Sequence, residues 1–158
     1  MGRLAKFFKL PGRDRWLLVR ALLLVALVRL GLWVLPFNRV QRLTERLRKR
    51  GTRRVPISTD RIIWAVRTSS RSIPGASCLT QALATEVMLS RQGTPSQIRI
   101  GVAKNEDGKL EAHAWVESRG EVLIGGLPDL ARYTPLTGAN QGDAVARAFE
   151  HSKTHIGR

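Results

Sequence analysis

Two residues of this chain could together perform nucleophilic chemistry, Cys78 and His113. Cys78 is the only cysteine, and it follows Ser77 at what the sequence predicts to be the first turn of a helix. The positive end of a helix dipole lowers the pKa of a thiol at that position and favours the nucleophilic thiolate. His113 stands on a predicted strand further along the chain, where it could serve as the base. A small buried thiol with no chemical role is the alternative interpretation.

The 158 residues suit one domain with an appendage, and their net charge of +15 is unevenly distributed. Residues 1–54 hold 15 of the 27 lysines and arginines but only two of the 12 acids, a net charge of +13, which leaves +2 for residues 55–158. We therefore divide the chain into a basic helical segment, 1–54, and a domain, 55–158. One cysteine excludes an internal disulfide and a thiolate zinc cluster, which fits a reducing, cytoplasmic compartment. The sequence predicts neither a cofactor nor a metal site.

The basic segment contains an apolar stretch, residues 16–37, with basic residues on both sides. The stretch is long enough to cross a membrane, but Arg20 and Arg29 interrupt it. Nine residues apart on a helix, the two arginines should point to opposite sides and leave neither a clean lipid face nor a clean solvent face. Three interpretations stay open: a helix buried against the rest of the protein or a partner, a helix on an anionic membrane surface, or a spanning anchor. Nucleic acid is not an expected partner, because the arginines flank an apolar run and do not line one polar face.

Proline, glycine and short polar residues mark the ends of the predicted helices. Pro11 should precede or begin the first long helix, and Pro36 should end or kink it. A second helix should run from Asn38, as its cap, to about Arg50, with Gly51 as its stop. Residues 51–56 have the composition of a linker.

The order of elements after the linker predicts an α+β domain. A short helix over residues 60–69, capped by Asp60 or Thr59, should precede a central apolar helix from Cys78 to Gln92, which Gly93 closes. Beyond it the hydrophobic period changes from that of a helix to that of a strand. Three strands joined by tight turns are predicted over residues 97–103, 109–118 and 121–124.

Alternation along the second strand puts His113 and Trp115 on one face and small apolar residues, including Ala114, on the other. On an ordinary half-buried strand the face with His113 would be solvent. Catalysis requires that this face meet the Cys78 helix, with the sheet covered on both sides. Otherwise His113 is a surface histidine beside Trp115.

Three strings of residues resemble a known family. The string PGASCLTQALATEVMLSRQG, followed by EAHAWVE and RYTPL, resembles the leader-peptidase proteins of lasso-peptide biosynthesis. These proteins carry the transglutaminase-like domain that is also found in the microcin-maturing B protein. The resemblance covers roughly residues 55–136 and extends to the arginine- and leucine-rich N-terminus of the free-standing members. It implies a transglutaminase-like or papain-like cysteine protease core, in which a central cysteine helix packs against an antiparallel sheet.

The resemblance also implies roles for individual residues. Cys78 matches the nucleophile and His113 the general base of an endopeptidase that removes the leader from a ribosomally made precursor. The acid that completes the family's triad would fall near Gly125–Gly126, where no carboxylate stands. Asp129, the nearest later acid, and Glu117, on the histidine strand, are candidates to orient the imidazole. A backbone carbonyl could also hold the ring.

The partners are implied by the same resemblance. Some family members are fused to a small leader-recognition domain, and 158 residues leave no room for it here. We therefore expect a separate recognition protein to bring the precursor's leader and a macrolactam cyclase to close the core peptide. Residues 1–54 are candidates to dock to either protein or to a membrane surface. An acyl-transferring transglutaminase and a non-catalytic scaffold of the same pathway are the alternative functions.

Overall fold

The computed structural model describes residues 10–49 and 57–136. In these ranges four helices come first: α1 Gly12–Val34, α2 Phe37–Lys49, α3 Thr59–Ser70 and α4 Cys78–Ser90. Four strands follow, β1 Gln97–Lys104, β2 Leu110–Ser118, β3 Glu121–Ile124 and β4 Thr134–Pro135, with a 3₁₀ turn at Leu130–Arg132 before β4. The strands form one antiparallel sheet in the order β3–β2–β1–β4, so the predicted α+β class is confirmed.

Helix ends follow the sequence where local backbone chemistry dictates them. Pro11 directly precedes α1, and the chain leaves the helical conformation at Leu35 and Pro36, before α2. Ser77 caps α4, because its Oγ accepts the backbone N–H of Thr80 at 3.3 Å. Gly93 lies just beyond α4 with a φ of 73°, a left-handed conformation that costs glycine little.

Two predicted caps are wrong by one or two residues. α2 begins at Phe37, and the carbonyl of Pro36 accepts the N–H of Arg39 at 2.9 Å, so Asn38 lies inside the first turn. α3 has Ser58 at its cap position in place of Asp60 or Thr59, and the Ser58 carbonyl accepts the N–H of Ile62. In both cases a residue one or two positions before the predicted cap supplies the first helical carbonyl. The predicted stop at Gly51 and the linker lie outside the described residues.

The strands differ from the prediction mainly in β4. β1 and β2 each agree with the prediction to within one residue, α4 ends two residues early at Ser90, and β3 agrees fully. β4 is only two residues long and pairs Gly101 with Pro135 and Val102 with Thr134. A strand this short has no hydrophobic period, so the sequence did not predict it.

One hydrophobic core is shared by α1, α3, α4 and the sheet. The predicted apolar surface of α4 is buried in full, at Leu79, Ala82, Leu83, Ala84, Val87, Met88 and Leu89. α1 contributes Leu17, Ala21 and Val25 to the same core, so one side of this helix is buried against the rest of the protein. The boundary proposed at residue 54 stays a prediction, since residues 50–56 are not described, but the core extends across it.

Arg20 and Arg29 leave one apolar face of α1 uninterrupted, contrary to the prediction. Both are half-buried. Arg29 reaches the turn between α3 and α4, where a Cβ added to Gly75 would lie 2.6 Å from the Arg29 Nη2. Arg20 lines a small cavity together with Arg91 and Gln92 at the end of α4. Arg20 and Arg29 point in opposite directions, and each lies at one border of the buried stripe of α1. The exposed stripe therefore carries neither arginine.

α1 is long and apolar enough to cross a membrane, and among the described residues it is the one helix of this kind. Of its most apolar 18 residues, 28% are buried inside the protein. Core helices of soluble proteins and N-terminal signal sequences share this length and composition. The helix is therefore compatible with a soluble or a membrane-associated protein.

Candidate active site

The thiol of Cys78 lies at the positive end of α4. Ser77 fixes the start of this helix through its Oγ and through its carbonyl, which accepts the N–H of Gln81 at 3.1 Å. The Cys78 sulfur is half-buried and accepts hydrogen bonds from the backbone N–H groups of Ala114 and Leu79. The helix dipole and these N–H groups all stabilise negative charge on the sulfur.

His113 reaches this sulfur at an open edge of the sheet. β3 pairs with β2 only over Val116–Ser118, so no described strand covers the β2 edge beside His113. At this edge the N–H of Ala114 points to Cys78, and the imidazole of His113 hydrogen bonds with the thiol. Nucleophile and base are therefore brought together by one strand edge and one helix start.

The His113 ring lies on the sheet face opposite the helices. Its centroid is 6.2 Å from that of Trp115 and 5.4 Å from that of Tyr133. Trp115 and Tyr133 are buried in a second small apolar cluster with Ala103, so the sheet is covered on both faces. A catalytic role for His113 was predicted to require that this face meet α4. The structure makes the contact around the strand edge instead, because Cys78 is at the end of its helix and not over the sheet.

A backbone carbonyl holds the other side of the imidazole. The Nε2–H of His113 donates to the carbonyl oxygen of Gly125 at 2.7 Å, which leaves Nδ1 for the thiol. Gly125 follows β3 and has a φ of 81°. An added Cβ would lie 2.6 Å from the Ala114 oxygen and 2.9 Å from the Trp115 Cα, so only glycine fits. The carbonyl thus occupies the position where the family's acid is expected.

Asp129 does not contact the imidazole of His113, which it was predicted to orient. Its Oδ2 forms an ion pair with Nε of Arg132 at 2.6 Å, and the carboxylate is more than half exposed. It influences His113 only through charge at a distance, which raises the pKa of His113 slightly. The turn after β3 folds the Gly125 carbonyl itself to the imidazole, so Asp129 is left further along the chain.

Glu117 also serves a different partner from the one considered. It accepts the indole N–H of Trp115 at 2.7 Å and pairs with Nε of Arg99 at 3.1 Å. The hydrogen bond from Trp115 and the pair with Arg99 lower the pKa of this carboxyl. Glu117 therefore fixes the indole that lies beside the His113 ring.

The pKa values of Cys78 and His113 shift towards each other. Burial alone raises the pKa of the Cys78 thiol, but the hydrogen bond with His113, the two backbone N–H groups and the imidazolium charge together lower it below its ordinary value. The hydrogen bond with Cys78 raises the pKa of His113, and the Gly125 carbonyl adds to this, while burial opposes it. Both shifts favour a thiolate–imidazolium pair.

The first turn of α4 could also stabilise an oxyanion. The N–H groups of Thr80 and Gln81 are taken by Ser77, and that of Leu79 faces the sulfur. Among the described residues this leaves the N–H of Cys78 as the first-turn donor for a developing oxyanion. Gln81 lines a polar cavity of about 400 Å³ with Arg67, Ser70, Arg71 and Ala76. No group of three or more metal-binding side chains occurs in the described part of the chain.

A thiol at a helix start, paired with a strand histidine in an α+β fold, defines the class of papain-like and transglutaminase-like cysteine enzymes. The family model described as the transglutaminase-like superfamily matches residues 18–138, and the chain belongs to this superfamily. No curated protein and no solved structure matches the chain. Cysteine-dependent hydrolysis or acyl transfer is the chemistry typical of the superfamily.

Of the site residues, the sequence nominated Cys78 and His113, and the structure brings them into contact. The contribution of the Ala114 N–H was not predicted, because no sequence pattern reveals it. The role of Gly125 could be predicted in part from the sequence. Two glycines stand where the family's acid is expected, and a backbone carbonyl can hold the imidazole in place of that acid. The proposed catalytic roles of these residues rest on geometry and resemblance together.

Proposed function

We propose that this protein is a cysteine endopeptidase that removes the leader from a lasso-peptide precursor, acting with a separate leader-recognition protein and a macrolactam cyclase. The observation that carries the chemistry is the contact of Cys78 with His113 and of His113 with Gly125. The substrate class rests on the resemblance of the strings around Cys78 and His113 to leader peptidases. Membership of the transglutaminase-like superfamily supports the thiol chemistry and is compatible with this substrate.

The geometry supports a two-step acyl-enzyme mechanism. The Cys78 thiolate attacks the scissile carbonyl, and the new oxyanion accepts a hydrogen bond from the Cys78 N–H. His113, protonated at Nδ1, then donates this proton to the amine as the C–N bond breaks. Water attacks the thioester while Nδ1 takes its proton, and the acid product leaves as the thiolate forms again. Gly125 keeps the ring in one orientation throughout, because its oxygen can only accept from Nε2–H.

The direct test is cleavage of a precursor peptide by the full-length protein. The neighbouring open reading frames would be searched for a short precursor and a small recognition protein. These would be incubated with the enzyme, and the products would be analysed by mass spectrometry. We expect two fragments whose masses add up to the mass of the precursor plus one water. Cys78→Ala should yield none while showing the same circular dichroism spectrum and melting temperature. Cleavage by Cys78→Ala would refute the assignment.

Acyl transfer to an amine is the second candidate, because the superfamily and the same thiol–imidazole pair support it equally. The two functions differ in the nucleophile that resolves the thioester. Methylamine added to the cleavage reaction would separate them by product mass. A peptidase yields the free acid even with amine in excess, whereas a transglutaminase yields the methylamide.

A further inference from the structure

The exposed face of α1 is apolar from Trp16 to Val34. Its large apolar members are between 40% and 69% exposed: Trp16, Leu22, Leu23, Leu27, Leu30, Trp33 and Val34. No charged residue interrupts this face, since Arg20 and Arg29 lie at its borders and are half-buried. Such a continuous apolar surface is unusual for a soluble monomer and indicates an interaction site.

An apolar groove adjoins this face where α1 meets α2. It has a volume of about 800 Å³ and is lined by residues of both helices, among them Leu27, Val34, Leu43 and Leu47. Leu43 extends the exposed apolar surface onto α2. We call this combined surface the α1–α2 face. Its occupant must therefore present apolar material along about 27 Å, the rise from Trp16 to Val34 at about 1.5 Å per residue.

Exposed arginines lie on both helices of the α1–α2 face, and Arg46 lines its groove. Arg13 is exposed at the start of α1, and Arg39, Arg42 and Arg46 are exposed on α2. Of the two acids in these helices, Asp14 is buried and paired with Arg61. Glu45 is exposed on α2, where three exposed arginines outnumber it. The occupant should therefore carry negative charge next to its apolar part. A second copy of this chain does not fit, because it would bring another segment of charge +13 against the same arginines.

We propose that the α1–α2 face binds the surface of an anionic lipid bilayer. Trp16 and Trp33 are exposed near the two ends of the apolar face, and tryptophan favours the boundary between headgroups and acyl chains. Between them this face carries only aliphatic side chains, which suits lipid better than the polar contacts that orient a protein partner. Crossing the bilayer is a different geometry: the opposite side of α1 is packed in the core with α3 and α4, so lipid cannot surround the helix. This inference does not depend on the peptidase assignment.

Vesicle sedimentation of the full-length protein tests the proposal. The vesicles would contain about three parts phosphatidylcholine to one part phosphatidylglycerol, with pure phosphatidylcholine as the comparison, at about 0.1 M salt. We expect at least about tenfold stronger partitioning onto the anionic vesicles, weakened by added salt. Absent binding, or equal binding to both vesicles, would overturn the proposal.

Two leucines of equal exposure provide a matched pair of variants. Leu27, on the α1–α2 face, and Leu110, at the start of β2, are both 64% exposed. Leu27→Gln should lower partitioning onto anionic vesicles by about tenfold, and Leu110→Gln should leave it within about twofold. Equal effects of the two variants would refute a specific face.

A variant with fewer arginines on α2 tests the role of charge independently. Arg39→Gln with Arg42→Gln should lower partitioning by about tenfold or more and flatten its salt dependence, because each basic side chain near the headgroups contributes about fivefold. Retained binding with unchanged salt dependence would contradict the proposal. So would a dimer in vesicle-free solution that Leu27→Gln dissociates, since the face would then be covered by a second copy.

Discussion

At the scale of single residues, the reactivity of Cys78 is set by opposing influences of known sign. Burial is the largest and raises the pKa of the thiol. The hydrogen bond with His113 is the largest influence that lowers it, ahead of the N–H of Ala114, the charge of His113 and the N–H of Leu79. Removing His113 therefore leaves burial opposed only by two backbone N–H groups.

We expect His113→Ala to slow the alkylation of Cys78 by iodoacetamide by more than about tenfold at about pH 6. In the wild-type protein the thiolate persists below the ordinary thiol pKa, because the imidazolium stabilises it. In the variant the thiol pKa rises, so the rate should increase only at higher pH. Cys78 is the only cysteine, so the mass of the intact protein reports the reaction without ambiguity. Identical pH profiles would show that the two side chains are not coupled.

Peptidase activity should have a bell-shaped pH profile for the same reason. The lower limb follows the lowered pKa of Cys78, and the upper limb follows the raised pKa of His113, above which no proton is available for the leaving amine.

Gly125→Ala should reduce turnover by one to three orders of magnitude, the approximate scale lost when a catalytic base is wrongly oriented. Its Cβ would collide with the backbone of Ala114 and Trp115, and the carbonyl would move away from His113. Gly126→Ala is the matched control, because its Cβ would meet only Val122 Cγ1, at an ordinary contact distance of 3.6 Å. Equal activity of the two variants would exclude Gly125 as the positioning residue.

Asp129→Asn separates the two candidates for orienting His113. Because Asp129 acts on the imidazole only through charge at a distance, turnover should change by less than about threefold. The upper limb of the pH profile should move slightly to lower pH, as the charge that raises the pKa of His113 is lost. A loss as large as that of Gly125→Ala would restore Asp129 to the site.

At the scale of helices, α4 carries the thiol and is fixed on several sides. Its apolar surface is enclosed by α1, α3 and the sheet, and α2 attaches through an ion pair between Arg48 and Glu86 at 2.9 Å. Burial raises the pKa of Glu86, and the charge of Arg48 offsets this only in part. The raised pKa means that the folded protein holds this proton to higher pH than the unfolded chain. Ionising Glu86 therefore lowers the free energy of unfolding as the pH rises through this window.

Arg48→Ala should lower the free energy of unfolding by about 1–3 kcal/mol at about pH 7, because it leaves the Glu86 carboxylate buried without a partner. The loss should shrink at about pH 4, where Glu86 is protonated in both states. Glu86→Gln removes the buried charge itself and should change stability by less than about 1 kcal/mol. Urea denaturation at the two pH values measures these differences. A pH-independent loss in Arg48→Ala would mean that packing, and not the ion pair, attaches α2.

At the scale of the whole molecule, the basic N-terminal segment is both part of the core and part of the surface. One side of α1 packs with α3 and α4, and the superfamily match begins at residue 18, inside α1. The other side carries the apolar face that we assign to a bilayer. The same helix thus connects the candidate active site to the proposed membrane contact through α4.

Val25→Ala should lower the stability of the whole chain by about 1–3 kcal/mol in a single cooperative transition. Val25 is fully buried in the shared core, so its truncation leaves a cavity between α1 and its neighbours. Leu27→Ala, two residues away on the exposed face, should change stability by less than about 0.5 kcal/mol. If residues 55–158 melted independently, the transition of that part would not respond to Val25→Ala, and the boundary at residue 54 would separate two folding units.

The sequence by itself determined the features that local chemistry controls. Proline before α1 and between α1 and α2, the Ser77 cap, the apolar surface of α4 and the hairpin strands all follow from residues close together in the chain. The fold class and the pairing of Cys78 with His113 were predicted from these patterns and from the family's strings. Two helix caps were misplaced by one or two residues, because neighbouring residues can supply the first helical carbonyl.

Only the tertiary structure decided how these elements meet. It placed the Cys78–His113 contact around the open edge of β2, gave the orienting hydrogen bond to the Gly125 carbonyl, and added β4 beside β1. It also placed Arg20 and Arg29 at the borders of the buried stripe of α1 and so left an apolar face exposed. Periodicity reports which residues share a face, but not what covers that face or where two distant backbones approach. Those outcomes depend on packing between residues far apart in the chain, which local patterns do not encode.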